Sequence, residues 1–217
     1  LTAANLPVRI CVARHGETTW NLAGRYQGRR ESALSALGVR QGFALAEAFA
    51  HREPRLQRIV ASPLLRCSAT AKFVAERLNI ELETDDRLLE IAHGTWEGRL
   101  RDDIAADDPE RFRTWKERPG AVAFEGGETL ADVLSRWRNF AAGFAPDGPV
   151  LVVTHDAVVR VAILDAQRRP LDDLWNVAVE NAGFAEFERS ASGWILVHEN
   201  VNAHLAGLHA TIAGQAL

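Results

Sequence analysis

The sequence predicts an α/β fold: a three-layer αβα sandwich with a mostly parallel central sheet, an antiparallel edge strand and a small helical lid. Three observations predict it. Short runs rich in β-branched residues recur at 8–13, 58–61, 150–154, 184–188 and 194–198. Segments with apolar residues spaced by three and four lie between the first three of these runs. Polar residues suited to chemistry stand where strand segments end, the edge at which α/β sheets bind ligands. Strands alternating with helices call for a sheet covered on both faces.

In order, Val8-Arg9-Ile10-Cys11-Val12 reads as a buried strand that ends in Ala13-Arg14-His15-Gly16. Leu37 to Ala50 places Leu37, Phe43, Ala44, Ala46 and Phe49 at broadly helical spacing. Ile59-Val60-Ala61 is a strand followed by Ser62-Pro63-Leu64-Leu65-Arg66, and Thr70 to Leu78 is helical through Phe73, Val74, Ala75 and Leu78. Residues 99–122 are heavily charged yet carry Phe112 and Trp115 at helical spacing, so they read as a helical excursion over one end of the sheet. Thr129 to Phe144 is a helix on Leu130, Val133, Leu134, Trp137 and Phe140, entered through the turn Gly126-Gly127-Glu128. Val150 to Val153 is a strand leading to Thr154-His155-Asp156. The last two strands, separated by Arg189 to Gly193, read as a hairpin that adds an antiparallel edge, free to pair or to stay solvated. No repeat, low-complexity tract or linker divides the chain, so residues 1–217 are expected to form one domain with a lid insertion at about 99–122.

Hydrophobic residues make up 47% of the 217 and charged residues 25%, which supports a sizeable core. A net charge of −4 argues against nucleic acid as a partner, but allows a small anionic substrate wherever cations concentrate in a cleft. The apolar runs at 150–154 and 157–164 are broken by Thr154, His155, Asp156 and Arg160, so neither reads as a membrane span. Leu1 to Pro7 has no basic region and no apolar signal core, and its lack of an initiating Met suggests a trimmed chain. Cys11 and Cys67 alone point to a reduced, cytoplasmic setting. Neither begins a Cys-x5-Arg phosphate loop, because Glu17 and Phe73 stand six residues beyond them; both read as small packing residues.

The chemistry concentrates at strand ends. Arg14 suits the bidentate grip on a phosphate, His15 is a nucleophile or proton carrier near neutral pH, and Gly16 is expected to let the backbone approach a ligand closely. Parallel strands would bring Arg14-His15, Arg66, Glu90 and His155 to the same edge. Such a set answers the needs of phosphoryl transfer: cations for the oxygens, a nucleophile, and an acid for the leaving alkoxide. His51, His93, His198, His204 and His209 read as surface or satisfied core residues. Arg29 and Arg30 read as a solvated loop face, and Trp96, Phe112, Trp115 and Phe124 as a packed lid core.

Arg14-His15-Gly16-Glu17-Thr18, Trp20-Asn21, Gly24-Arg25-Tyr26-Gln27-Gly28, Leu34-Ser35-Ala36-Leu37-Gly38, Ser62 to Cys67, Glu90 with Gly94-Thr95-Trp96-Glu97-Gly98, Gly126-Gly127-Glu128 and His155 form an ordered set. In order and spacing, over roughly residues 8 to 200, it resembles the histidine phosphatase superfamily, also called the phosphoglycerate mutase-like family. The resemblance implies that His15 becomes a phosphohistidine. Arg14, Arg66 and His155 would hold the phosphoryl oxygens, with Asn21 as a further donor, and Gln27, Gly28 and Asp156 would lie on the substrate side. Glu90 would protonate the leaving oxygen and then deprotonate the attacking water. These roles set physical requirements. His15 must be neutral at its attacking nitrogen, with the other nitrogen bound to a fixed acceptor. His155 is more useful as a cation, and Glu90 needs a pKa raised by burial under Trp96. No metal and no cofactor is called for.

Asp156 departs from the pattern, because the second histidine is commonly followed by glycine in mutases and small phosphatases. In the superfamily's acid phosphatase and phytase branch, a His-Asp pair here supplies the proton donor. A carboxylate beside a phosphate must be protonated, turned away or paired with a cation such as Arg160. The expectation is that Glu90 is the principal acid and Asp156 shapes or assists the leaving-group side. The activity expected is hydrolysis of a small phosphorylated metabolite. A mutase is the alternative, yet mutases usually carry Glu-Arg-His-Tyr-Gly where this chain has Glu90-Ile91-Ala92-His93-Gly94, and a longer insertion. A metal-dependent His-Asp phosphohydrolase and a non-catalytic phospho-ligand module rank below both.

Overall fold

The computed structural model describes residues 9–143, 148–191 and 193–210. In chain order come β1 (Arg9–Arg14), α1 (Thr19–Leu22), α2 (Ala36–Ala50), β2 (Arg58–Ala61), α3 (Leu65–Leu78) and β3 (Leu82–Thr84). After them follow α4 (Arg101–Asp107), α5 (Pro109–Glu117), α6 (Leu130–Gly143), β4 (Val150–Thr154), α7 (Asp156–Gln167), β5 (Phe184–Ser190) and β6 (Gly193–Val201). The strands form one sheet in the order β3-β2-β4-β1-β5-β6. The first four in that order are parallel, whereas β5 runs antiparallel to β1 and β6 antiparallel to β5. This is the mostly parallel sheet with an antiparallel edge that the alternation predicted. The expectations for Leu1 to Val8 and for Phe144 fall outside the described residues.

Period-two alternation divides the core. Ile10, Val12, Val60, Val150 and Val152 face the side carrying Trp137, Phe140 and the apolar body of α7. Their neighbours Cys11, Ala13, Ile59, Ala61, Leu151 and Val153 face Leu45, Phe49, Ala71 and Val74 of α2 and α3. Burial on both faces explains why these strands read as continuous apolar runs.

Two elements had no clear signature. In β3, only three residues long, Glu83 and Thr84 are exposed, so an alternating pattern never develops. The helix α7 buries Asp156 to Val159 and Val161 to Leu164, and it follows β4 across the single residue His155, so strand and helix run together as one apolar stretch of sequence. Also, α3 begins at Leu65 and not near Thr70, because its first turn contains the buried Arg66.

The register fixes the functional edge. Arg14 pairs with Thr154, and Ala61 with Val153. The next residues along β1, β4 and β2 therefore leave the sheet together. The turn after β1 is braced from behind: a Cβ on Gly16 would lie 2.6 Å from the carbonyl oxygen of Gly38, and one on Gly38 only 2.0 Å from that of Glu17. The missing side chain at Gly16 thus accommodates the start of α2. Gly38→Ala should lower stability by about 1–3 kcal/mol, because the clash is with backbone. Gly42→Ala meets the movable ring of Phe73 and should cost less. Thermal and denaturant unfolding of the two variants test this; equal stabilities would contradict it.

Candidate active site

Where β1 ends, the His15 amide donates to the Thr154 carbonyl at 2.9 Å. The imidazole Nδ1 lies 2.7 Å from the carbonyl oxygen of Gly16. A carbonyl only accepts, so Nδ1 carries the proton and Nε2 keeps its lone pair. The ring of His155 stands edge-on, with centroids 5.4 Å apart and planes at 68°. Its Nε2 lies 2.8 Å from the hydroxyl oxygen of Ser62, the first residue beyond β2. Burial first, and then the Arg66 guanidinium, holds both imidazoles well below the ordinary histidine range. Neutrality at His15 meets the requirement for a nucleophile. At His155 it reverses the expected cation, because the protein around the ring offers no nearby carboxylate strong enough to offset burial and Arg66.

Arg66 lies in the first turn of α3 and is 1% exposed. Its terminal nitrogens donate to the carbonyls of Arg30 at 2.9 Å and Gly28 at 2.7 Å. Its Nε has no hydrogen-bond partner among the described residues. Gly28 adopts φ +51°, and a Cβ there would lie 2.1 Å from a Glu97 carboxylate oxygen. Gly28 thus meets the site through the carbonyl that orients Arg66. Thr70 joins this arginine to the nucleophile turn, donating to the Arg66 carbonyl at 2.7 Å and accepting from the Gly16 amide at 3.0 Å.

Arg14 extends across the edge to Asp156, with 2.9 Å between its terminal nitrogen and Oδ1, and donates to the Val179 carbonyl at 3.2 Å. The other oxygen of Asp156 is 2.5 Å from Nε of Arg160. Burial alone would raise the Asp156 pKa, but Arg160 and Arg14 outweigh it and hold the carboxyl below its usual range. Of the three ways a carboxylate is tolerated here, pairing is the one found. Glu90 has the opposite environment. It is 2% exposed and accepts one bond, from the Ile91 amide at 2.9 Å. Burial pushes its pKa up to about 7, against the pull of Arg66. Two carboxyl groups near one site thus have pKa values driven apart, the arrangement that separates an acid from a structural anion.

Asn21 is buried in α1, where its side-chain oxygen accepts from the Thr18 amide at 3.0 Å in a reciprocal capping box. The side-chain oxygen of Gln27 accepts from the Ser32 hydroxyl and lies 3.0 Å from that of Thr18. The bonds seen for both amides therefore serve the local loop. Trp96, Trp115 and Phe124 are buried with Phe112 against them, the packed core expected of the 99–122 excursion. His93 is neither a surface nor a satisfied residue. Both of its ring nitrogens are buried, packed among Tyr26, Trp115 and Phe124, with no hydrogen-bond partner among the described residues, and burial lowers its pKa to about 3. Ser62, Thr70 and Arg136 were given no role from sequence. Ser62 was signalled by its place at a strand end and within the motif running to Cys67, and Arg136, which pairs with Glu128 at 3.2 Å, by nothing.

Among the described residues, no group of three or more His, Cys, Asp or Glu side chains is placed to hold a metal ion. No helix among them is long and apolar enough to cross a membrane. The arrangement offers buried guanidiniums for an anion, a neutral imidazole with a defined free nitrogen, and a carboxyl that is partly protonated near neutral pH.

Comparison with known proteins agrees. The chain is 33% identical over 201 residues to phosphoserine phosphatase 1 of Hydrogenobacter thermophilus, covering 91% of this chain and 94% of that protein. It is 35% identical over 162 residues to glucosyl-3-phosphoglycerate phosphatase of Mycobacterium tuberculosis, covering 70% of this chain and 71% of that one. Bacillus stearothermophilus YhfR has a similar solved structure, with a TM-score of 0.84 and 28% identity over 91% of this chain and 99% of that one. Residues 10–202 match the model of the histidine phosphatase superfamily (branch 1). The chain belongs to that superfamily and is a phosphatase of it.

Proposed function

We propose that this phosphatase hydrolyses a small phosphorylated metabolite through a phosphohistidine on His15. The observation that carries the reading is the bond from His15 Nδ1 to the Gly16 carbonyl, which leaves Nε2 as the free nucleophile at an edge flanked by Arg14 and Arg66. In the first step the Nε2 lone pair attacks phosphorus. The bond to the ester oxygen breaks, its electron pair stays on that oxygen, and Glu90 delivers a proton to it. In the second, the Glu90 carboxylate takes a proton from water, whose oxygen attacks phosphorus. The P–N bond breaks, its pair returns to Nε2, and inorganic phosphate leaves.

Arg14 and Arg66 neutralise the phosphoryl oxygens, with His155 and Asn21 as further donors. A phosphate dianion arriving beside His155 would favour its protonation, supplying the charge partner that the protein lacks there. Asp156, ionised between Arg14 and Arg160, has no proton to give; it fixes the angle of Arg14. Gly28 acts through Arg66, and Gln27 supports the loop bordering the substrate. Residues 99–122 cover this end of the domain as a lid. Phosphoserine and glucosyl-3-phosphoglycerate, the compounds named for the two relatives, are the first substrates to try.

Acid-stable analysis cannot see phosphohistidine, so quenching in alkali during turnover should trap one phosphate per chain, and His15→Ala should trap none. Phosphate held on another residue would overturn the mechanism. Glu90→Gln should lose roughly 10²–10⁴-fold in kcat, the range of general acid–base catalysis, with a smaller loss in Asp156→Asn. The reverse order would move the proton donor to Asp156. Because Glu90 acts first in its protonated form and its pKa is about 7, kcat/KM should fall as pH rises through that value. The limb should be missing from the residual activity of Glu90→Gln; its persistence would assign it to another group.

A further inference from the structure

From the catalytic edge toward the helical excursion runs a series of charged and aromatic side chains, of which the hydrolytic steps use only the first two. It begins at Arg14, passes to Asp156 at 2.9 Å and on to Arg160 at 2.5 Å. The Arg160 guanidinium stacks on the indole of Trp175, 5.5 Å from the ring centroid. On the same indole rests the ammonium group of Lys116, from α5, at 4.6 Å, with the ring of Phe112 at 5.8 Å. The indole is itself fixed, because its Nε1 donates to the Trp115 carbonyl at 2.6 Å and its ring packs edge-on against that of Trp115. Arg160 is committed to Asp156 and to the Leu174 and Val177 carbonyls. Lys116 makes no ion pair among the described residues, although the preceding helix carries Asp102, Asp103 and Asp107.

Resting on the reading of the site as a phosphomonoesterase, we propose that Lys116 is a specificity-determining residue that receives a second anionic group, carboxylate or phosphate, on the leaving-group side of the substrate. A cation with no ion pair among the described residues, held on an aromatic plate and linked through Arg160 and Asp156 to the phosphoryl clamp, has the chemistry for that role. Its electrostatics support this. Desolvation against the excursion, followed by repulsion from Arg101 and Arg160, lowers the Lys116 pKa, while Asp156 opposes the shift. An added anion would relieve that repulsion, whereas a neutral leaving group would gain nothing from it.

The test compares the full chain with Lys116→Gln and Lys116→Arg. The panel holds 3-phosphoglycerate and phosphoserine for a carboxylate, fructose 1,6-bisphosphate for a second phosphate, and glycerol 2-phosphate and p-nitrophenyl phosphate for uncharged leaving groups. Lys116→Gln should raise KM for at least one anionic-tail class by about tenfold, the loss of one charge-assisted contact. Its kcat on that class and its kinetics on the uncharged esters should stay within about twofold, and Lys116→Arg should restore most of the affinity. The class that responds identifies the second group. An equal loss on all esters would make Lys116 merely structural and overturn the inference. So would an unchanged preference in Lys116→Gln while the parent chain turns over the esters. A parent chain that hydrolyses none of the panel and traps no phosphate on His15 would overturn the phosphomonoesterase reading, and this inference with it.

Discussion

The guanidiniums of Arg14 and Arg66 are withdrawn almost wholly from water, and much of the surrounding structure exists to hold them. A buried cation that cannot release its proton must find oxygens, or the fold carries its full desolvation cost. Arg66 finds them in the carbonyls of the 28–30 loop, which explains the left-handed turn at Gly28 and its close contact with Glu97. Arg14 finds Asp156 and the Val179 carbonyl. Neither arrangement neutralises the pair fully: Arg66 is met mainly by neutral carbonyls, and Asp156 is shared with Arg160. A site with excess positive charge and little water favours a dianion strongly, without a metal among its described side chains.

The same charges sort the carboxyl groups. Asp156 sits between two guanidiniums and stays ionised, whereas Glu90 has one backbone donor and a dry pocket, and its pKa climbs to about 7. Identity of the side chain does not decide which one can carry a proton; surroundings do. The aspartate next to His155 is the residue that a motif would nominate, yet its partners hold it ionised. Histidines obey similar logic. Burial and Arg66 keep both rings neutral, which leaves His15 a nitrogen lone pair.

Much of this was legible in the chain. The strand runs at 58–61, 150–154 and 184–188 and the alternation with helices gave the sheet and its antiparallel edge, because burial on both faces leaves long apolar runs. His15, Arg14, Arg66, Glu90 and His155 stood out as polar residues at the ends of such runs. What stayed hidden depends on three-dimensional neighbours. No spacing shows that Gly16 lies against Gly38, that Arg14 joins Arg160 on Asp156, or that His93 lacks partners for both nitrogens among the described residues. The helix α7 was obscured because its apolar run follows that of β4 across one residue, and β3 because it is short.

The strand order also bears on how the molecule comes into being. The strand that leads to His15 is the earliest described part of the chain, yet it sits in the middle of the sheet, hydrogen-bonded to β4 on one side and β5 on the other. During synthesis one of its edges therefore stays open until about residue 154 has emerged, and the other until about residue 190. Until then its backbone donors and acceptors must be served by water or by wrong partners. Such long-range closure makes for slow folding and exposes an aggregation-prone apolar strand in the nascent chain. The edge that gathers Arg14, His15 and His155 is thus complete only when the last third of the polypeptide has closed the first strand between its neighbours.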